Sequence, residues 1–440
     1  MKPIVAVSTP VGAGAISIVR MSGDGVLDIA RRLFSCKEDI TPRKVILGTF
    51  SYNGINEKCL LVYFKAPHSY TGEDIVEFQC HGGELLTREV LNALINNGAR
   101  LAENGEFTKR AFLNGKVSLD SAEGIIDVIN AGTEAELKAG YNLMSGKLYQ
   151  EVKALQDKIT DELASVDMTL DYPEHDDEGE TLEHTKGVLK EVESKIHALL
   201  ATAGTGKLIK SGINAAIVGK PNVGKSSLLN ALLGEDRAIV TDVAGTTRDT
   251  ITESIAYKGI KINFVDTAGV RDSENVVEKI GIDRSKRAID MADIVLLVLD
   301  SSEELTDEDR ELLDLTKSKP RILVLNKSDK KKALYLKEKY VLVSAKDGVN
   351  IEELKEEIFN VFAGGKIDTS GLILTNVRHI EALNAALEKC RQGISACEIH
   401  TPDIVSFTLK ELWQELGKIT GETETESIID AIFSKFCLGK

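Results

Sequence analysis

The sequence lacks any run approaching the ~20 consecutive apolar residues that a membrane-spanning helix requires, so a soluble protein without membrane contact is expected. Its opening residues, Met1-Lys2-Pro3-Ile4-Val5, carry neither the apolar stretch nor the small-residue cleavage site of a secretory signal. The six cysteines are scattered, with no CxxC pair among them, which points to reducing cytoplasm and no structural disulfides. Positive charge is outnumbered, 54 Lys and Arg against 69 Asp and Glu. A net charge of −15 argues against a surface that grips nucleic acid throughout, because phosphate neutralisation needs clustered Lys and Arg; any such contact must be local. The acidity is uneven: residues 167–193 read DMTLDYPEHDDEGETLEHTKGVLKEVE, whereas residues 1–118 hold 14 Lys and Arg against 12 Asp and Glu. The N-terminal part is therefore the better candidate for an anionic ligand.

What is present is enough chain for several cores. At 440 residues, with 42% apolar and 28% charged residues, a multidomain protein of three domains is expected. Residues 1–118 alternate short β-rich runs (Ile4–Val7, Ala15–Val19, Lys44–Phe50, Cys59–Phe64, Asp74–Cys80) with helical stretches such as Glu84–Asn96, the pattern of a compact α+β domain. From Leu119 to Gly206 the apolar spacing turns helical, with Pro173 marking a break before a further helix at Thr181–Ala201. A new rhythm begins at Ile213: apolar strand, Gly-rich turn, helix, then strands at INFVD, IVLLVLD, RILVLN and YVLVSA, which implies a largely parallel sheet covered by helices. Helical periodicity returns after Gly364. The economical organisation is an α-helical domain of two parts, residues 119–211 and 366–440, with an α/β domain of residues 212–365 inserted between them; two separate helical domains are the alternative.

Gly219-Lys220-Pro221-Asn222-Val223-Gly224-Lys225-Ser226 fits GxxxxGK[ST] between an apolar strand and a helical run that continues with Ser227. Such a P-loop aims backbone N–H groups and a helix N-terminus at phosphate oxygens, with Lys225 reaching the β/γ-phosphates and Ser226 ligating Mg²⁺. Asp266-Thr267-Ala268-Gly269 follows the strand INFV, where an acid can hold Mg²⁺ through water and a glycine amide can sense the γ-phosphate. Asn326-Lys327-Ser328-Asp329 ends the next apolar strand but one. Its aspartate can accept from the N1–H and 2-amino group that guanine has and adenine lacks. Ser344-Ala345-Lys346 is positioned to meet the guanine O6 through backbone N–H. Each motif alone is weak; four in this order, each at a strand end, make GTP the expected substrate. Between the P-loop and Asp266 lies Thr241-Asp242-Val243-Ala244-Gly245-Thr246-Thr247, whose threonines can reach a metal when GTP orders the loop, and Thr247 is assigned to Mg²⁺. Val270 follows the Asp-Thr-Ala-Gly motif and cannot orient water as a Ras-type glutamine does, which leaves Glu278 or Glu274.

Taken with STPVGAGAISIVRMSG, SYTGEDIVEFQCHGG, NGEFTKRAFLNGKVSLDSAEGIIDVINA, DTAGVRDSENVVEKIGIDRS and the ending Phe436-Cys437-Leu438-Gly439-Lys440, the whole chain resembles the MnmE (TrmE) family of tRNA modification GTPases of bacteria and organelles. The resemblance implies a Ras-like G domain set in the helical domain, and residues 1–118 as a folate-binding and dimerisation domain. It implies a homodimer working with the flavoprotein MnmG (GidA), as a heterotetramer or larger complex, on tRNA. The product would be a 5-aminomethyl-type group on the wobble uridine U34, built from a one-carbon unit of 5-formyl- or methylene-tetrahydrofolate. It also implies Mg²⁺ at Ser226 and Thr247, K⁺ at Asn222, Thr241, Val243 and Thr246, and Glu278 as the residue that orients water. Folate contacts are implied at Arg20, Glu77, Lys116 and Lys440.

Cys437 stays open between a buried small hydrophobe and a thiol near the reaction. The alternative function is a ribosome-assembly or RNA-binding GTPase without folate chemistry, which would want a basic face that the near-neutral N-terminal part does not offer.

Overall fold

The computed structural model describes residues 2–10, 12–172, 178–234, 253–265, 286–363, 371–399 and 401–439. The chain forms two compact units. One joins Met1–Ile126, Leu143–Leu182 and Ile399–Lys440; the other joins Asp127–Asn142 and Glu183–Glu398.

The first unit is built on seven strands: β1 (Ile4–Val7), β2 (Ile16–Ser22), β3 (Phe34–Cys36), β4 (Val45–Tyr52), β5 (Ile55–Phe64), β6 (Ile75–His81) and β7 (Arg100–Leu101). Their order is β3-β4-β5-β6-β2-β1-β7, antiparallel except where β7 joins β1. Period-two alternation decides the faces. Val19 and Met21 of β2, Cys59 and Leu61 of β5 and Val76, Phe78 and Cys80 of β6 point into one core with the helices Val26–Leu33 and Glu84–Asn96. Phe78 there meets Phe34 and Phe50 edge-on, at 5.9 and 5.2 Å between ring centroids. The other face carries Arg20 and Glu77.

The strands and the helix expected in residues 1–118 are all found, with ends that agree to within four residues. The sequence did not announce β3 and β7, of three and two residues, because such lengths show no period. The helices Val26–Leu33 and Glu106–Leu113 were also unannounced; each begins after a glycine in the left-handed region, Gly25 at φ 78° and Gly105 at φ 67°, a turn signal rather than a helix signal.

The second unit holds a six-stranded sheet of β8 (Ile213–Val218), β9 (Glu253–Tyr257), β10 (Ile260–Val265), β11 (Ile294–Asp300), β12 (Arg321–Asn326) and β13 (Tyr340–Leu342), in the order β13-β12-β11-β8-β10-β9. It is parallel throughout except for the β9–β10 hairpin. All seven residues of β11 are buried, as expected of a central strand covered on both faces. β13 is shorter than the run YVLVSA suggested. Val343 still donates to the Leu325 carbonyl at 2.8 Å, and beyond it Ser344 closes a turn with Val349, N–H to C=O both ways at 3.2 and 3.0 Å.

Helices from either side of this sheet in sequence pack together in both units. In the first, Lys147–Asp171 lies along Pro402–Thr420, where Gln156 Nε2 donates to the Trp413 carbonyl at 3.4 Å. In the second, the helix starting at Glu178 meets Val377–Glu398, where Cys390 Sγ donates to the Leu189 carbonyl at 3.1 Å and Arg391 pairs with Glu193 at 2.8 Å. The helical stretch expected from Leu119 divides into Leu119–Asn130, Glu134–Met144 and Lys147–Asp171; Gly146, at φ 77°, makes the second break. Pro173 lies outside the described residues. Among those described, no helix is long and apolar enough to cross a membrane.

Candidate nucleotide site

β8 is flanked by β10 and β11, so the loop at its C-terminal end emerges at the edge of the parallel sheet where ligands bind in such folds. The loop is shaped by backbone no bulky residue tolerates. A Cβ on Gly219 would lie 2.4 Å from the Val298 carbonyl oxygen, and one on Gly224 2.3 Å from Asn326 Nδ2. Gly224 sits at φ 94° and Asn222 at φ 64°, both in the left-handed region that glycine, and after it asparagine, adopts most readily. Val223 is buried beneath the loop, and the helix Lys225–Leu233 then anchors through Leu228, Leu229, Leu232 and Leu233 in the sheet core.

Lys225 turns its ammonium onto the loop itself, donating to the Gly219 carbonyl at 2.7 Å and the Lys220 carbonyl at 2.9 Å. Burial pushes it below the usual lysine range. Ser226 is half-buried, while Asn222 and Ser227 are exposed. Lys220 reaches sideways to Asp309 at 3.1 Å and Glu303 at 3.3 Å.

Asn326 connects three of the sequence motifs. It is 2% exposed; its Nδ2 donates to the Val223 carbonyl at 2.8 Å and its Oδ1 accepts from the Ala345 N–H at 3.0 Å. The P-loop, the Asn326–Asp329 turn and the Ser344–Lys346 turn are thereby held as one rim. Lys327, in the left-handed region at φ 64°, pairs with Asp300 at 2.6 Å. Burial alone would raise the Asp300 carboxyl, but the Lys327 ammonium and the Ser302 donors outweigh it and hold the group below the usual carboxylate range. Asp329 is exposed, and its Oδ1 lies 3.2 Å from the Ser344 hydroxyl, which also lies 3.0 Å from Asp347 Oδ2. Lys346 is exposed.

Sequence reasoning did not mark Asp300, Lys220, Glu303 or Asp309. Asp300 left a trace: a carboxylate ending an otherwise wholly apolar buried strand needs a partner. Asp309 closes a capping box with Thr306, a local signal whose reach to Lys220 only the fold reveals.

The other candidate residues lie in the first unit. Arg20 and Glu77 are register partners on β2 and β6, with Nε to Oε1 at 2.7 Å, and the guanidinium stands 5.9 Å from the Phe107 ring centroid. Lys116 is exposed beside Gly72, where an added Cβ would lie 3.0 Å from its Cε; no hydrogen bond joins it to Arg20 or Glu77 among the described residues. The C-terminal segment meets the C-terminal end of β1 and bridges to Asn104 through Leu438. Ser8 Oγ donates to the Gly439 carbonyl at 3.4 Å, and a Cβ on Gly439, at φ 94°, would stand 2.2 Å from the Val7 carbonyl oxygen. Cys437 is exposed.

A family profile described as the MnmE helical domain matches residues 119–437, and one described as the GTP-binding protein TrmE N-terminus matches residues 3–116. The tRNA modification GTPase MnmE of Clostridioides difficile (strain 630) is 43% identical over 453 aligned positions, covering 99% of each chain. That of Aquifex aeolicus (strain VF5) is 44% identical over 449 positions, covering 100% of each. The chain belongs to the MnmE family. The MnmE match runs through both flanking domains, so it is not carried by the nucleotide motifs alone. Of the expected site residues, Thr241–Thr247, Asp266–Gly269, Glu274, Glu278 and Lys440 lie outside the described residues.

Proposed function

We propose that this chain hydrolyses GTP and, through that cycle, serves the modification of tRNA. The family membership supports both halves of this reading. The observation that carries the nucleotide half is Asn326, whose amide binds the P-loop carbonyl of Val223 and the Ala345 N–H at once, bringing phosphate-binding and base-reading turns to one rim.

In this reading Lys225 and the backbone N–H groups of residues 222–227 hold the phosphates, Asp329 reads the guanine edge, and the Ala345 and Lys346 amides face its O6. The tight glycines and the N-terminus of Lys225–Leu233 form a cradle that suits polyphosphate. Ser226 and Thr247 are the residues that would hold Mg²⁺, with Asp266 and Gly269 responding to the γ-phosphate. Asn222, with Thr241, Val243 and Thr246, would hold K⁺. These cations would offset charge that develops on the transferred phosphoryl group. Glu278 orients water, and Thr267, Ala268, Asp242, Ala244 and Gly245 complete the surrounding loops.

The domain assignment follows: residues 1–118 bind a reduced folate and dimerise, 119–211 and 366–440 form the helical domain, and 212–365 the G domain. The partly buried Arg20–Glu77 pair fits a folate, since a carboxylate can accept from pterin N–H groups while Arg20, Lys116 and Lys440 meet carboxylates. The partner is MnmG, the locus is U34 of cytoplasmic tRNA, and the product is a 5-aminomethyl-type group.

The test is reconstitution of the full chain with its flavoprotein partner, GTP, a tetrahydrofolate one-carbon donor and unmodified tRNA, followed by nucleoside mass analysis. C5-modified uridine that requires all components is expected. GTP hydrolysis without any folate-dependent modification would leave the GTPase and overturn the tRNA chemistry.

A further inference from the structure

The segment from Lys330 to Tyr340 is unlike the rest of this acidic protein. It holds Lys330, Lys331, Lys332, Lys337 and Lys339 against Glu338 alone, between β12 and β13 and immediately after the base-reading turn. It is also firmly seated. Leu334 is 6% exposed in the core beneath the sheet, Leu336 packs against the same cluster, and the Ala333 and Leu334 N–H groups donate to the Ser301 carbonyl at 2.8 and 3.1 Å. With Leu334 and Leu336 turned inward, the side chains between and beside them face outward.

Tyr335 is one of these, 76% exposed. Burial does not hold it; Lys332 does. The Lys332 ammonium lies 4.9 Å from the Tyr335 ring centroid and 4.7 Å from that of Tyr340, and donates to the Tyr340 hydroxyl at 2.7 Å. The cation therefore ties an exposed ring to the first residue of β13. Around this ring the acids are already engaged: Glu338 pairs with Arg321 at 2.7 Å and Glu357 with Lys339. Lys330, Lys331 and Lys337 are exposed, and none has a carboxylate within ion-pair distance among the described residues.

We propose that Lys330, Lys331 and Lys337 with Tyr335 form an RNA-docking surface, the lysines meeting phosphates of the tRNA backbone and the Tyr335 ring stacking on an unpaired base. This rests on the reading that the chain acts on tRNA, and adds where on the G domain that RNA is met. An aromatic platform flanked by uncompensated cations is the arrangement that binds unpaired nucleic acid, the ring supplying sequence-tolerant stacking and the lysines counter-ion release. Its seat beside the guanine-reading turn puts bound RNA next to the nucleotide.

The test is binding of a full-length unmodified tRNA transcript to the full chain by fluorescence anisotropy at several KCl concentrations. The proteins compared are the wild type, the triple variant Lys330→Gln/Lys331→Gln/Lys337→Gln, Tyr335→Ala and Tyr335→Phe. The triple variant is expected to bind on the order of 10-fold more weakly, with the slope of log K against log salt reduced by about 2 to 3. Tyr335→Ala is expected to lose roughly 5- to 100-fold with the slope retained, and Tyr335→Phe to stay within about twofold. GTP affinity measured on the same samples should be unchanged, which shows that the variants are folded. Wild-type affinity and slope in the triple variant, or full affinity in Tyr335→Ala, overturns the surface while leaving the tRNA reading standing. A wild-type chain with no measurable tRNA binding at any salt also overturns the surface, whereas the tRNA reading falls only if the reconstitution with the flavoprotein partner gives no modification.

Discussion

Asn326 and Asp329 stand three residues apart in one turn, yet they hold different positions. Asn326 is buried with both ends of its amide committed to backbone of other loops, so it holds the loops together; Asp329 is exposed, and in the proposed reading it carries the recognition. Asp329→Asn replaces a carboxylate oxygen with an NH₂ that opposes the guanine donors, leaving unmatched groups where a charge-assisted pair stood. GTP binding is expected to fall while XTP binding rises, compared directly by competition; an unchanged GTP affinity would remove Asp329 from the base-reading role. Glu278 is a prediction of the same scale drawn from the motif alone. Glu278→Ala should keep GTP affinity within a few-fold but lose about 10²–10⁴ in turnover, because a water-orienting carboxylate acts mainly in the transition state. Single-turnover hydrolysis beside Glu274→Ala decides the matter: loss in Glu274→Ala with normal Glu278→Ala would move the role by four residues.

At the scale of elements, the end of β11 shows how the sheet supports its loops. Asp300 terminates the buried strand and holds Lys327, whose positive φ places it in a turn the backbone alone would not favour. Removing the carboxylate in Asp300→Asn strands a largely enclosed ammonium, at an expected cost of roughly 2 kcal/mol. The carboxyl is held below its unfolded value, so its contribution is present above the ordinary aspartate range and is lost as pH falls through the depressed folded value. Urea unfolding of both proteins across an acid series should therefore show their difference shrinking toward low pH. A difference independent of pH would assign the effect to packing rather than charge. β13 makes the complementary point, since its pairing with β12 ends with the Val343 N–H on the Leu325 carbonyl and two residues later the Ala345 N–H meets Asn326.

For the whole molecule, the proposed cycle depends on a monovalent cation rather than on an arginine from a partner. GTP turnover is expected to be much faster in KCl than in matched NaCl, and Asn222→Ala should abolish that difference with only a modest change in GTP affinity. Steady-state hydrolysis in the two salts measures it; equal rates for the wild type, or an Asn222→Ala protein that still answers to K⁺, would place charge compensation elsewhere.

Local chemistry was enough to make much of this chain legible. The apolar runs of β8, β11 and β12 could be bounded from sequence because each is flanked by turn residues and long enough to exclude other structure. The P-loop could be read because its glycines and lysine have one well-matched use. Residues 330–340 are not singled out by the sequence, because nothing local says that Leu334 is buried, that Tyr335 is not, or that Lys332 joins two rings. The same holds for Arg20 and Glu77, 57 positions apart and paired only because β6 lies beside β2. By itself, then, the sequence determined most of the elements and the order of the nucleotide motifs along the chain, since these are written in periodicity and short-range spacing. Only the tertiary structure decided which carbonyl Asn326 holds, which acid answers Lys220 and which ring stands free. Those are pairings between distant segments, and they form only when burial of the apolar faces brings the segments together.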